Sequence, residues 1–119
     1  MCLMAFPIMA QNAARCEGGS LITGANNHEY CVSDITMNWW SAHSWCRAQG
    51  RTLATVTQAC AGNAGTCFNI RDGQHQEAQQ TDFWTSTPDG VAKAWKCTFR
   101  NANISSENRN KKDFAAICF

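Results

Sequence analysis

The chain has 119 residues, of which 45% are hydrophobic and 16% are charged, which is typical of one domain with a buried core and disfavours a disordered or fibrous protein. Its net charge of +1 gives no general electrostatic attraction to nucleic acid or to an anionic membrane, so neither is expected as a partner. No stretch approaches the ~18 consecutive apolar residues that a membrane-spanning helix needs, and membrane insertion is not expected.

Cysteines spread along the whole chain predict a disulfide framework formed in an oxidising compartment. None of them forms a CxxC pair, and the histidines lie far from metal-ligand spacing, so a structural zinc site is disfavoured. We therefore expect a secreted or cell-surface protein. The cysteines are Cys2, Cys16, Cys31, Cys46, Cys60, Cys67, Cys97 and Cys118.

The N-terminal part of the chain predicts a strand followed by a disulfide-closed hairpin. Residues 1–15 start with an apolar run that lacks a basic beginning, which favours an N-terminal edge strand; a processed signal-peptide remnant is the alternative. Cys16 and Cys31 enclose a segment rich in turn residues. A disulfide between them would close the hairpin and stabilise it by about 3 kcal/mol in the chain-entropy model.

Residues 37–50 predict the central helix of the domain. Asn38 is suited to cap its start, and Gly50 can adopt the left-handed conformation that ends a helix. Cys46 lies on the apolar face of this helix, among large aromatic side chains. Residues 52–56 then predict a short strand, because β-branched residues dominate them.

The middle of the chain is polar and carries weaker signals. The residues between Cys60 and Cys67 are small and polar, which predicts a mini-loop closed by its own disulfide. Residues 71–82 have no apolar stripe, so they predict either a loop or a short exposed helix.

The C-terminal third predicts a hairpin, a loop and a final strand. Residues 83–87 and 94–99 have the composition of strands, with a turn at residues 88–90 between them. Residues 101–113 contain almost nothing apolar and predict a solvated loop. Residues 114–119 predict a buried terminal strand.

In this order the features resemble the C-type lectin-like domain, and the resemblance covers residues 16–119 as a single domain. It implies an α+β fold with a small mixed antiparallel sheet, one or two helices, a long irregular loop region and disulfide staples. The strand sequences are more similar to bacterial relatives, including C-terminal domains of collagen-like surface adhesins, than to animal lectins. The residues that carry the resemblance are Cys16 and Cys31 of the hairpin, Trp39, Ala42, Trp45, Cys46 and Gly50 of the helix, Leu53 and Ala54 after it, and Ala115 and Cys118 at the end.

The resemblance also implies a disulfide between the helix and the last strand, from Cys46 to Cys118. A loop of that length would contribute about 4 kcal/mol in the chain-entropy model. The other cysteines fit the family poorly. If the two cysteines of the mini-loop bond to each other, Cys2 is left for Cys97; if one of them bonds to Cys97 instead, an odd thiol remains.

The calcium and sugar signature of the family is missing. Calcium-dependent members cluster carboxylates and amides because calcium needs several hard oxygen ligands, whereas here Pro88-Asp89 offers one carboxylate and no second cluster follows. We therefore expect no metal and no other cofactor. Catalysis is not expected either, because Ser41 and His43 do not face each other on a helix and the loop carboxylates lack apolar surroundings that would raise their pKa.

A binding surface is the functional feature that the sequence favours. Asparagine amides both donate and accept hydrogen bonds, and arginine binds carboxylate or sulfate bidentately, which suits a glycan or sulfated polysaccharide. Tryptophans could stack on sugar rings if exposed; their alternative place is the core. The candidate ligand-binding residues are Trp84, Lys93, Trp95, Arg100, Asn101, Asn103, Asn108, Arg109, Lys111 and Lys112.

We therefore expect a calcium-independent, adhesin-like recognition module of a bacterial surface or secreted protein. It would bind a host or cell-surface glycan or protein through its long-loop face, and it would not be an enzyme. Two alternatives stay open: a structural subunit whose loop surface assembles into a pilus or fibre, and a diversified ligand-binding protein built on the same fold.

Overall fold

A mixed sheet of six strands organises the domain in the computed structural model, which describes residues 14–24, 27–59, 82–98 and 103–119. Two short helices accompany the sheet, so the described part is a small α+β domain. The strands are β1 (Gly19–Thr23), β2 (Glu29–Ser33), β3 (Asp82–Asp89), β4 (Lys93–Thr98), β5 (Asn103–Asn108) and β6 (Ala115–Cys118), and the helices are α1 (Trp39–Ala48) and α2 (Val56–Ala59).

The last strand of the chain lies inside the sheet, whose strand order is β1-β2-β6-β3-β4-β5. Strand β6 pairs antiparallel with β2 and parallel with β3, whereas the other neighbouring strands pair antiparallel. A central strand is covered on both faces and therefore has an unbroken apolar sequence. All four residues of β6 are buried, so the predicted buried terminal strand is confirmed.

Alternate residues of the central strands fill two separate cores, one on each face of the sheet. The core on the α1 side contains the buried face of the helix together with the cysteines of β2 and β6. The other core contains large side chains of β2 and one phenylalanine of β3. The first core includes Cys31, Ala42, Cys46, Trp84, Ala116 and Cys118, and the second includes Tyr30, Val32, Phe83, Cys97, Ala115 and Ile117.

The central helix forms as its sequence predicts. The side-chain oxygen of Asn38 accepts a hydrogen bond of 2.8 Å from the backbone N–H of Ser41, which caps the first turn. Gly50 follows the helix with a φ of 72°, the left-handed conformation that glycine adopts without steric cost. Ala42 and Cys46 are its buried residues.

Two disulfides connect this helix and the N-terminal hairpin to the sheet. Cys16 bonds to Cys31 and closes the β1–β2 hairpin, and Cys46 of α1 bonds to Cys118 of β6. Both predicted bonds are confirmed. The second bond ties the helix to the centre of the sheet across 72 positions of sequence.

Several predictions fall on residues outside the described part of the chain. These are residues 1–13 of the N-terminal strand predicted within residues 1–15, the mini-loop with Cys60 and Cys67, and residues 71–81 of the polar segment predicted at residues 71–82. The candidate partners of Cys97, which are Cys2 and one of the two mini-loop cysteines, lie there as well. Cys97 itself is buried on β4, on the side of the second core.

The prediction of a strand at residues 52–56 is wrong. Leu53 makes only an isolated bridge to β6, and α2 begins directly after Thr55. Thr55 and Gln58 form a reciprocal cap: the side-chain oxygen of Gln58 accepts from the N–H of Thr55 at 2.9 Å, and the hydroxyl oxygen of Thr55 accepts from the N–H of Gln58 at 3.0 Å. This capping box starts a helical turn and overrides the β-branched composition.

The prediction of a solvated loop at residues 101–113 is also wrong, because β5 lies within it. Strand β5 pairs with β4 from Asn103 to Asn108 and forms one edge of the sheet. An edge strand needs backbone pairing on one side only, and its polar side chains protect the free edge. Ile104 is its one apolar residue, and it packs against the second core.

The predicted β3–β4 hairpin is confirmed, but its turn lies further along the chain. Strand β3 continues through Pro88 to Asp89, which pairs with Lys93, and Gly90 begins the turn with a φ of 75°. The register shifts between Trp84 and Pro88, which fits the rule that proline within a sheet occurs at irregularities.

Within the described residues, no helix is long and apolar enough to cross a membrane.

Candidate functional site

Trp84 belongs to the core and is not a ligand-binding residue, which corrects the sequence interpretation. Its side chain is 0% exposed. Its indole Nε1 donates a hydrogen bond of 2.9 Å to the carbonyl of Met37, and its ring meets Phe114 edge-on at 5.0 Å between centroids. A ring that is enclosed in this way cannot stack on a sugar.

Other predicted residues do come together on one face of the β3–β4–β5 sheet. Lys93 and Trp95 alternate along β4, and Asn108 and Ser106 lie opposite them on β5, so all four point to the same side. Asp89 of β3 joins them, because its carboxylate accepts a hydrogen bond from the Ser106 hydroxyl. We call these five residues the β4–β5 surface.

The β4–β5 surface mixes charges and hydrogen-bonding groups around one indole. Lys93 and Asn108 are exposed, whereas Trp95 and Asp89 are half-buried. Lysine and serine donate hydrogen bonds, the carboxylate accepts them, and the amide does both. Such a surface matches the hydroxyls of a sugar or the polar groups of a protein better than it matches a polyanion.

Arg109 has a structural role that the sequence interpretation missed. Its guanidinium donates hydrogen bonds to the carbonyls of Lys93 and Gly90, at 2.9 and 2.8 Å. It also lies over the ring of Trp39, with 4.4 Å from the guanidinium carbon to the ring centroid. These contacts join the β3–β4 turn to the start of α1, and they occupy donors that a ligand would need.

The remaining predicted cations that the structure describes are Lys111 and Lys112. The ammonium of Lys111 lies 3.1 Å from the carboxylate of Glu107, so its charge is compensated. Lys112 is exposed. The structure does not describe Arg100, Asn101 or the side chain of Asn103.

A polar cavity lies beside α1, and the sequence interpretation did not find it. The cavity has a volume of about 300 Å³ and lies between α1, the chain that leads into α2, and β3. The part of its wall that the structure describes contains two arginines and no acidic residue. The lining residues are His43, Arg47, Arg51, Thr52, Leu53, Thr55, Gln58 and Ser86. We call it the α1–α2 cavity.

The two arginines of this cavity differ in what holds them. Arg51 is fixed by the protein: its guanidinium donates to the carbonyls of Arg15 and Glu29 and lies 3.8 Å from the Glu29 carboxylate, with only 8% of the side chain exposed. Arg47 is exposed on α1. Its guanidinium has no acidic partner among the residues that the structure describes.

His43 stands between Trp39 and Arg47, one turn from each along α1. Its ring meets Trp39 edge-on at 4.3 Å, and its Nε2 is buried without a hydrogen-bond partner in the described part of the chain. Burial lowers the pKa of His43 below its usual value, and the positive charges of Arg47 and Arg109 lower the pKa further. The imidazole is therefore neutral at physiological pH. The spacing of His43 and Arg47 at i and i+4 was the sequence signal for this site.

An apolar groove lies along the other flank of α1. It has a volume of about 560 Å³, and two of its large apolar side chains, Ile35 and Trp40, are 61% and 49% exposed. Exposed apolar side chains that lie side by side are typical of interaction surfaces. The groove is lined by Ile35, Met37, Trp40, Ser41, Ser44 and Trp45.

Fold and disulfides define the class of this protein as a small disulfide-bonded α+β domain with a mixed six-stranded sheet. In the described ranges, no three His, Cys, Asp or Glu side chains lie close enough together to hold a metal ion. No model of a known protein family matches the chain, and no curated protein matches it.

Proposed function

We propose that this domain is a secreted or cell-surface recognition module with a C-type lectin-like fold, which binds a glycan or protein ligand without calcium. The observation that carries the proposal is the β4–β5 surface, where an indole lies among lysine, asparagine and carboxylate groups at the edge of the sheet. A diversified ligand-binding protein would use the same surface and is a variant of this proposal.

The arrangement of elements supports the fold part of the proposal. The hairpin closed by Cys16 and Cys31 precedes the helix, and Cys46 of the helix bonds to Cys118 of the last strand, which is the pairing that the resemblance implies. Disulfides persist in oxidising environments and are rare in the cytosol, which supports a secreted or surface location.

Rigidity supports the binding part of the proposal. Strand β4 pairs along its length with β5 and on its other side with β3, which pairs with the central strand β6. Arg109 fixes the turn at the end of this hairpin against α1. A surface that is ordered before it meets a ligand loses little conformational entropy on binding.

Removing Lys93 and Asn108 together, as Lys93→Ala with Asn108→Ala, is expected to weaken ligand binding about tenfold or more, because each side chain provides hydrogen bonds worth about 1 kcal/mol. The measurement is a glycan array of the oxidised domain, with and without a calcium chelator, followed by titration of any ligand found. We expect the chelator to have no effect.

Lys112→Ala is the matched control, since it removes one positive charge from the turn after β5. An equal loss in this variant would mean that net charge, and not the β4–β5 surface, determines binding. Loss of binding in chelator would contradict the calcium-independent part of the proposal. An array without any bound glycan would move the search to protein ligands.

The apolar groove favours a second candidate function, that of a structural subunit in a pilus or fibre. On this candidate, the wild-type domain self-associates at micromolar concentration, and Trp40→Gln with Ile35→Ser makes it monomeric because the exposed apolar area is lost. Sedimentation velocity measures the association state. A wild-type domain that stays monomeric at all concentrations would remove the support that the groove gives to this candidate.

A further inference from the structure

We propose that the α1–α2 cavity is a binding site for an anionic group, a carboxylate or a sulfate or phosphate ester, which the side chain of Arg47 holds by charge. This site is separate from the β4–β5 surface in position and in chemistry. The recognition function and the anion site can therefore be tested independently.

The charge balance of the cavity is the first argument. Among the described residues, its lining has two arginines, Arg47 and Arg51, and no acidic residue. Glu29 lies near Arg51 and compensates it, but no acidic side chain among the described residues compensates Arg47. A cavity with one uncompensated guanidinium favours an anion, because arginine binds the oxygens of carboxylate, sulfate and phosphate with paired hydrogen bonds.

The neutral groups of the cavity suit the same ligand. Thr52, Thr55 and Ser86 are among its lining residues, and the hydroxyl of a serine or threonine can donate to an anionic oxygen. Thr55 keeps this capacity, since its oxygen only accepts in the capping contact with Gln58. The volume of about 300 Å³ lies at the lower end of the range for small-molecule sites, so a single acidic sugar or a comparable small acid is the size of ligand that it admits.

The environment of His43 gives the second argument. The Nε2 of His43 is buried and has no hydrogen-bond partner among the residues that the structure describes, and a buried polar atom without a partner is uncommon in folded proteins. Among the described residues, the charged groups around it are Arg47 on its own helix, Arg109 from the turn after β5, and Arg51 across the cavity. Glu29 compensates Arg51, so Arg47 and Arg109 are the two that give the site a positive field, which an anion would balance.

Binding of an anion is expected to be linked to protonation of His43. The bound negative charge opposes the effect of the arginines, so the pKa of His43 rises when the site is occupied. Below the pKa of the free protein the ring is protonated in both states, and above the pKa of the complex it is neutral in both. Between these two values binding takes up a proton, so affinity falls as the pH rises through that window.

The test is a titration of the ¹⁵N-labelled, oxidised domain followed by NMR, with sodium sulfate, sodium phosphate and sodium glucuronate as probes and with sodium chloride to hold the ionic strength. We expect saturable shifts at the amides around the cavity. Arg47→Gln should weaken binding about tenfold or more, because a hydrogen-bonded charge is lost. Lys112→Gln, which removes an equal charge elsewhere, should change affinity less than about twofold.

Each result has a defined meaning. Binding of sulfate and phosphate alone assigns a tetrahedral oxyanion to the site, and binding of glucuronate assigns a carboxylate. Equal affinity in wild type and Arg47→Gln, equal shifts with neutral glucose, or no saturable shift with any probe would overturn the proposal. Arg47 is exposed, so its replacement leaves the fold intact and the comparison holds.

The same titration between about pH 5 and about pH 8 tests the role of His43. Wild-type affinity should fall as the pH rises, and the carbon-bound protons of the imidazole should report a higher pKa with sulfate bound. His43→Gln, which keeps Arg47, should bind with an affinity that no longer depends on pH in this range. An unchanged pH dependence in that variant would exclude His43 from the site.

Discussion

Replacing Cys46 and Cys118 together by alanine is expected to lower the free energy of unfolding by about 4 kcal/mol. This disulfide joins α1 to β6 over 72 positions, and a longer loop loses more chain entropy when it is closed in the unfolded state. Both cysteines are fully buried in the core between α1 and the sheet, so their loss also loosens the packing of the helix. Denaturant unfolding of the oxidised protein, followed by tryptophan fluorescence, gives the measurement.

The Cys16–Cys31 pair is the matched control for this prediction, because its loop spans only 15 positions. Replacing both of these cysteines by alanine should lower the free energy of unfolding by about 3 kcal/mol, which is less than the decrease expected for the longer loop. A larger loss for the Cys16–Cys31 variant would contradict the order that loop length predicts. It would instead indicate that the N-terminal hairpin holds the sheet together.

Trp84→Ala is expected to destabilise the domain by about 3–5 kcal/mol, because it leaves a cavity in the core and removes a buried indole. The substitution also removes the hydrogen bond from Nε1 to the carbonyl of Met37. In the variant this buried carbonyl has lost its donor, which adds to the destabilisation. The edge-on contact with Phe114 disappears as well. Thermal and denaturant unfolding measure the change.

Trp40→Ala is the control, since Trp40 is 49% exposed and lies on the outer flank of the same helix that covers Trp84. We expect Trp40→Ala to change the free energy of unfolding by about 1 kcal/mol or less, as for most surface positions. If Trp84→Ala were as mild as Trp40→Ala, the indole of Trp84 would not be a core group. Its earlier interpretation as a ligand-binding residue would then have to be reconsidered.

Three faces of helix α1 contact three different regions of the molecule. The face with Ala42 and Cys46 is buried against the sheet, one flank borders the apolar groove, and the flank with His43 and Arg47 borders the α1–α2 cavity. A helix has enough circumference for three such stripes when each recurs every three or four residues. The disulfide from Cys46 fixes the rotation of the helix, and therefore the position of both flanks.

Local signals explain the parts that the sequence predicted well. Asn38 and Gly50 define the ends of α1 through capping chemistry that involves only neighbouring residues. The turn-rich segment between Cys16 and Cys31 brings those cysteines together by itself. The Thr55 and Gln58 capping box was equally local, and it would have predicted α2 if its spacing had been weighed against the β-branched composition.

The sequence by itself determined the hairpin, the central helix and the apolar last strand, because these depend on spacing within short stretches. Only the tertiary structure decided that the polar residues of β5 form an edge strand, since their partner β4 supplies the backbone hydrogen bonds. It also decided that Trp84 is buried and that Arg109 binds its own chain. Burial and hydrogen-bond partners depend on residues that are distant in sequence, and no local pattern encodes them.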